Sequence, residues 1–330
     1  MIALAKLCIV PIALLLSGCV ASVLDVENKA AQPISTKLLA EMSRKETSPR
    51  SPILIRIFKQ ESELEVWKQD RSGKYALLRT YPMCRWSGKL GPKTRDGDRQ
   101  APEGFYHVNA SMLNPDSQYY LSFNLGYPNK LERAKGYTGD ALMVHGACSS
   151  SGCFAMTDEG VSDIYAMARE ALGGGQASFQ VQAYPFRMTA ANMAKHWNDP
   201  NFEFWMDLKR GNDLFETTRR EPKVSYCSSR YVFDQNVTEQ DPLAACPSDP
   251  ASPASLIADR FETESRRIQA LSSSGSLAGA HAYADGGMHP TFRTLLQREG
   301  EKSLARRTST TSVPISRPDA ALADPHSPTE

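Results

Sequence analysis

The sequence predicts a mainly β domain with flanking helices, held between ends that do not pack. Three observations lead there. Short apolar stretches of strand length recur between residues 53 and 124. One segment switches to helical spacing, with Val161, Ile164, Tyr165, Ala168 and Leu172 along one face. Residues 20–52 and 247–330 are polar in composition, and the chain carries 21 Pro at a mean hydropathy of −0.41.

Residues 1–18 read as a lipoprotein signal peptide. Lys6 supplies the positive start, and the apolar run 7–16 is too short for the ~20 residues that a membrane helix needs. The run ends in Leu16-Ser-Gly-Cys19, which resembles the bacterial lipobox, so Cys19 is the expected lipidation site. Several acyl chains there would anchor the protein to a membrane in the periplasm. Val20 follows, not the Asp that favours the inner membrane, so the outer membrane is expected. Residues 19–52 are polar and mixed and read as a tether.

Strands are expected at 53–58, 63–67, 75–81, 82–87, 105–109 and 119–124. A turn-rich, charged connection, 88–104, interrupts them, and connections of that length tend to be functional. A short apolar strand, 141–144, leads into His145. Thr157 is placed to cap the helix that follows, Gly173-Gly-Gly175 to end it, and 177–183 to return to the sheet. Helices are expected at 189–197 and 202–210, with Trp197, Phe204, Trp205 and Leu208 as packing residues, and one last strand within 223–233. Residues 247–330 read as largely disordered, apart from a helix near 258–271.

The chemistry concentrates in Met143-Val-His-Gly-Ala-Cys-Ser-Ser-Ser-Gly-Cys-Phe-Ala-Met156. His145 is a base and Cys153 a nucleophile once its thiol is deprotonated. The small residues between them allow tight turning and free amides for an oxyanion. Cys153 is expected just before a helix N-terminus, whose dipole favours a thiolate.

Seven cysteines occur; Cys8 lies in the signal and Cys19 in the lipobox, leaving an odd five. Export favours pairing and leaves one thiol over. The spacing of Cys227 and Cys246 suits a local bridge, with Cys84 and Cys148 as the other pair; the remaining pairings stay open. The formal charge of +1 gives no reason to expect nucleic acid. A metal set of His145, Cys148 and Cys153 lacks a fourth ligand, and no metal or cofactor is expected.

Several blocks, in order, resemble the L,D-transpeptidase (YkuD-type) catalytic domain, closest to its murein-acting YafK-like branch. They are Cys84-Arg-Trp-Ser-Gly-Lys-Leu-Gly-Pro-Lys93, Gly97-Asp-Arg-Gln-Ala-Pro-Glu-Gly-Phe-Tyr106, Thr138-Gly139, His145-Gly146 and Ser151-Gly-Cys-Phe-Ala-Met156. The resemblance covers roughly residues 53–184, leaving 185–246 as a helical and strand extension packed on that domain.

The resemblance implies a curved β-sandwich, partly closed like a barrel. It also implies action on peptidoglycan stem peptides through a thioester on Cys153, with His145 as proton donor and acceptor. Gly152, Ser151 and Gly146 would surround the oxyanion and substrate. The acyl acceptor would be a murein amine or a lipoprotein lysine; with water the same site becomes an L,D-hydrolase that trims murein or releases a lipoprotein. Ser151 and Ala155 stand where the family commonly has histidine and arginine, so Lys93, Arg95 or Arg99 would have to hold a substrate carboxylate. A non-catalytic wall-binding lipoprotein would be expected to lack His145 or Cys153, and both are present.

Overall fold

The computed structural model describes residues 29–234, 241–246, 255–274, 283–311 and 313–323. The expected signal peptide and Cys19 lie outside the described residues. Among the described residues no helix is long and apolar enough to cross a membrane.

Strands β1 (Ile53–Phe58), β2 (Glu63–Gln69) and β3 (Tyr75–Pro82) form an antiparallel meander. Strand β10 (Ser178–Tyr184) lies parallel to β1, and β5 (Gly104–Asn109) pairs antiparallel to β10, giving the order β3-β2-β1-β10-β5. Ile53, Ile55 and Ile57 enter one core and Leu54 another, so β1 is buried on both faces. A strand covered on both sides needs the near-continuous apolar run Ile-Leu-Ile-Arg-Ile-Phe, not strict alternation.

A second sheet has the order β4-β9-β8-β7-β6: β4 (Arg85–Trp86), β9 (Phe154–Ala155), β8 (Met143–His145), β7 (Ser122–Asn124) and β6 (Leu113–Asn114). The single turn Ala110–Met112 takes the chain off the edge of β5 before β6 begins. The two mixed sheets therefore stay separate, and the partly closed barrel is not formed among the described residues. One apolar cluster joins them, with Ile55, Val66 and Val181 from the first sheet and Phe123, Val144 and Phe154 from the second.

Four expectations need correction. The tether contains helix α1 (Thr36–Arg44), capped by Ser35, whose Leu38 and Met42 are buried one turn apart. The helix expected to end at 210 continues to Thr218 because Leu214 and Phe215 keep the apolar spacing, and Phe215 packs edge-on to Trp67 at 5.1 Å. The last strand is a hairpin, β11 (Val224–Cys227) and β12 (Arg230–Phe233). Ser228 and Ser229 turn it with φ of 50° and 61°, the left-handed pair that a two-residue hairpin needs.

The fourth correction is the largest. Much of 247–330 is folded rather than disordered, with helices Ser255–Ser273, Pro290–Glu299, Glu301–Thr308 and Pro318–Leu322. Phe292, Leu296, Leu304 and Ile315 form a small core with Cys84 and Cys148. Polar composition hid these few apolar residues; Phe292 and Leu296 sit one turn apart on a short amphipathic helix.

Trp197 is not a core residue; it is 42% exposed, while Trp205 is fully buried. The helix after the second sheet, Asp158–Gly173, starts at its Thr157 cap as expected, and Val161, Ile164, Tyr165 and Ala168 are buried. Disulfides join Cys84 to Cys148 and Cys227 to Cys246, with Cα atoms 5.3 and 4.9 Å apart, and Cys153 remains a free thiol.

Candidate active site

Strands β8 and β9 lie side by side and run parallel, with Val144 opposite Phe154 and His145 opposite Ala155. The loop between them, residues 146–153, must therefore travel back along the sheet. Cys153 lies in the bend directly before β9, two residues before Ala155 and next to the register pair His145–Ala155.

The His145 imidazole is buried at 3% exposure, and its Nδ1 lies 2.5 Å from the carbonyl oxygen of Gly146. A carbonyl only accepts, so Nδ1 carries the proton and Nε2 carries the lone pair. Burial lowers the imidazole to about 4, against the opposing pull of the Gly146 carbonyl and the Asp158 charge. Near neutral pH it is an uncharged base. The Tyr119 ring covers it, centroid to centroid 4.6 Å.

The Cys153 thiol is half-buried, and its Sγ lies 3.8 Å from the Ala141 carbonyl. Burial raises its pKa, opposed by a hydrogen bond from the Met143 backbone and by the Lys93 charge. The expected help from a helix dipole is absent. The helix begins at Asp158, β9 intervenes, and Thr157 takes the amide of Gly160. Thiol and imidazole are thus both uncharged at rest.

Two alanines flank this pair in left-handed conformations, Ala141 at φ 52° and Ala147 at φ 58°. Such backbone costs of order 1 kcal/mol or more and persists where surroundings impose it. For Ala147 the restraint is visible: its amide donates to Asp158 Oδ1 at 2.9 Å. The other oxygen of Asp158 accepts from the Thr310 amide and hydroxyl and from the Ser309 hydroxyl.

Two residues assigned to the oxyanion do something else. The Gly152 amide donates to Ser87 Oγ at 2.6 Å, and the Gly146 amide to the Leu121 carbonyl at 3.1 Å. Both positions need glycine for shape. Gly152 has φ 116°, and a Cβ on Gly146 would lie 2.6 Å from Asp158 Oδ1. Ser151 is exposed, and its hydroxyl accepts from Arg99 Nη1 at 3.0 Å.

Two of the three loop cations are also committed. Lys93 is buried and donates to Asp98 at 2.5 Å and to the Arg95 carbonyl at 2.7 Å. Arg99 reaches the Ser150 carbonyl and Asp285, each at 3.1 Å, while Arg95 is exposed. Cys148 is tied to Cys84 and so offers no thiolate to a metal, and among the described residues no group of three or more His, Cys, Asp or Glu could hold one.

His107 does not join the site; it is exposed and 3.7 Å from Glu221. His196 is a core residue, stacked on Phe186 at 4.7 Å. Residues that sequence reasoning missed are Ser87, Ser150, Asp158, Asp285 and Ser316. Ser87 stood inside a resembling block and Asp158 beside a cap, but nothing local marked the last two.

A model of the YkuD L,D-transpeptidase catalytic domain matches residues 52–174. The chain is 47% identical over 190 residues to YafK of Escherichia coli K12, named as an L,D-transpeptidase, covering 58% of this chain and 77% of YafK. The same figures hold for YafK of Escherichia coli O157:H7. Among solved structures, the helical cell shape determining protein Pgp2 of Campylobacter jejuni is similar at 17% identity and a TM-score of 0.34, over 58% of this chain and 79% of Pgp2.

Proposed function

The chain belongs to the L,D-transpeptidase catalytic domain family, and on that premise we propose that it is a cysteine acyl transferase acting on peptidoglycan stem peptides. One observation supports the reading at residue level: the free thiol of Cys153 lies two residues before Ala155, the strand partner of His145, whose buried neutral imidazole keeps a lone pair on Nε2.

The Cys153 sulfur attacks the carbonyl of the L-centre before a terminal D-residue, and its proton passes to His145 Nε2. The tetrahedral oxyanion collapses, the C–N bond breaks, and the departing amine takes the proton from His145. A thioester remains on Cys153. An incoming amine attacks it, gives its proton to His145, and the thiol is restored as the new amide forms. With water as acceptor the same cycle is hydrolysis. Because both groups start neutral, proton transfer accompanies attack instead of preceding it. The Cys153 amide is a candidate donor to the oxyanion, whereas those of Gly152 and Gly146 are engaged.

The test is incubation of the full chain with defined muropeptides and mass analysis of the products. Cross-linked dimer, or a stem joined to a lipoprotein lysine, supports transfer. Loss of a bridge without a new bond points to the hydrolase. Products that form equally well with a Cys153→Ala protein overturn both.

We also propose a periplasmic protein anchored through a lipidated Cys19, supported by the Leu16-Ser-Gly-Cys19 pattern and by two disulfides that suit an oxidising compartment. A Cys19→Ala protein that matures and fractionates like wild type would refute this.

A further inference from the structure

Ser150, three residues before the nucleophile, is gripped at every polar atom. Its hydroxyl donates to the carbonyl of Cys153 at 2.7 Å and lies 2.9 Å from Ser87 Oγ. Its amide donates to Ser316 Oγ at 2.8 Å, and its carbonyl accepts from Arg99 Nη2 at 3.1 Å. Two of those partners depend on the C-terminal segment, far outside the matched residues 52–174. Ser316 belongs to it directly. Arg99 is held by Asp285, whose carboxylate also takes Arg317 at 3.1 Å, Arg85 at 3.8 Å and the Gly88 amide at 3.1 Å.

Asp285 is only 4% exposed. A buried carboxylate among three guanidiniums is a fixed point, because moving it would leave charges unpaired. The Arg99 guanidinium carries that fixity to Ser150 through a bond with set direction.

From this chain of contacts we propose that Asp285 and Ser316 are positioning residues for the reaction, acting through Arg99 and Ser150 to fix the backbone of Cys153. The proposal rests on Cys153 being the nucleophile. Neither residue touches the reacting atoms. Their contribution is the placement of the thiol against His145 Nε2, and displacements of about 1 Å in such a pair can cost on the order of 100-fold in rate.

The experiment uses full-length Asp285→Asn, Ser316→Ala, Arg99→Gln and the Asp285→Asn/Arg99→Gln double variant. Two readouts are taken: muropeptide turnover, and the rate of Cys153 alkylation by iodoacetamide. Asp285→Asn is expected to lower kcat by about 100-fold with KM changed less than about threefold, since placement and not binding is lost. The double variant should be no slower than Arg99→Gln, because both break one relay. The alkylation rate should change in step with kcat.

Wild-type kcat and alkylation rates in both Asp285→Asn and Ser316→Ala would overturn the proposal, as would losses that multiply independently in the double variant. Should Asp285→Asn fail to fold, Ser316→Ala removes one acceptor only and decides alone. If wild type turns over no muropeptide, the proposed substrate is wrong, and the alkylation rates of the variants still decide the positioning role.

Discussion

His145 stands opposite Ala155 in a parallel strand pair, and Cys153 lies two residues upstream of Ala155, directly before that strand. On the proposed mechanism these two residues are the base and the nucleophile, and each can be replaced without touching the strand pairing. Cys153→Ala should abolish turnover and His145→Ala should reduce it by about 10²–10⁴-fold, without loss of fold. Circular dichroism beside muropeptide assays checks both. Near-wild-type activity in Cys153→Ala would remove the assignment.

Thiol acidity gives a second check. Burial pushes the Cys153 pKa above its ordinary 9.0, and Met143 and Lys93 only partly oppose it. Iodoacetamide alkylation of the free protein should therefore rise with pH through a midpoint above 9.0. A midpoint below 7 would reveal a preformed thiolate–imidazolium pair, contrary to two neutral groups.

The buried imidazole links folding to pH. His145 titrates at about 4 when folded and near 6.5 when unfolded, so the unfolded chain binds more protons between those values. Its share of stability is present above 6.5 and falls away as pH drops through 4, by on the order of 3 kcal/mol. Urea unfolding of wild type and His145→Gln at pH 7 and pH 4.5 tests this. The wild type should lose more stability than the variant over that interval.

The two disulfides should separate stability from activity. Cys227–Cys246 closes 19 residues at the hairpin, away from the site, and its removal should cost about 3 kcal/mol and spare turnover. Cys84–Cys148 closes 64 residues and ties down the loop between His145 and Cys153. The Cys84→Ala/Cys148→Ala protein should lose about 4 kcal/mol and most of its turnover. Equal turnover in the two double variants would show that the loop needs no such tie.

Lys59 and Glu103 are an ion pair at 2.8 Å with no exposed side-chain surface. Lys59 Nζ also donates to the Lys89 and Ala101 carbonyls, so it pins both ends of the loop that carries Lys93 and Arg99. Lys59→Met should destabilise by about 3–5 kcal/mol, since it strands a buried carboxylate. Lys59→Met/Glu103→Leu should recover part of that loss in thermal melts.

The central strands, the Thr157 cap and the His145–Cys153 stretch were legible because each is written in contiguous residues. Periodicity, a capping hydroxyl and a dense run of small residues act locally. The engaged amides of Gly152 and Gly146 were not legible, because their partners Ser87 and Leu121 come from other strands. The C-terminal helices were illegible for a related reason. Phe292, Leu296 and Leu304 pack against Cys84 and Cys148, residues that lie far earlier in the chain.

That distance sets a schedule. Ser150 finds its acceptor Ser316 only after 166 more residues have been made, on the order of 10–30 s at ordinary synthesis rates. Arg99 waits 186 residues for Asp285. All ten strands of the two sheets end by Tyr184, about 100 residues or more before Asp285 and Ser316 appear. On the positioning proposed here, synthesis itself acts as a timer: the thiol of Cys153 is not fully set until Asp285 and Ser316 have been made.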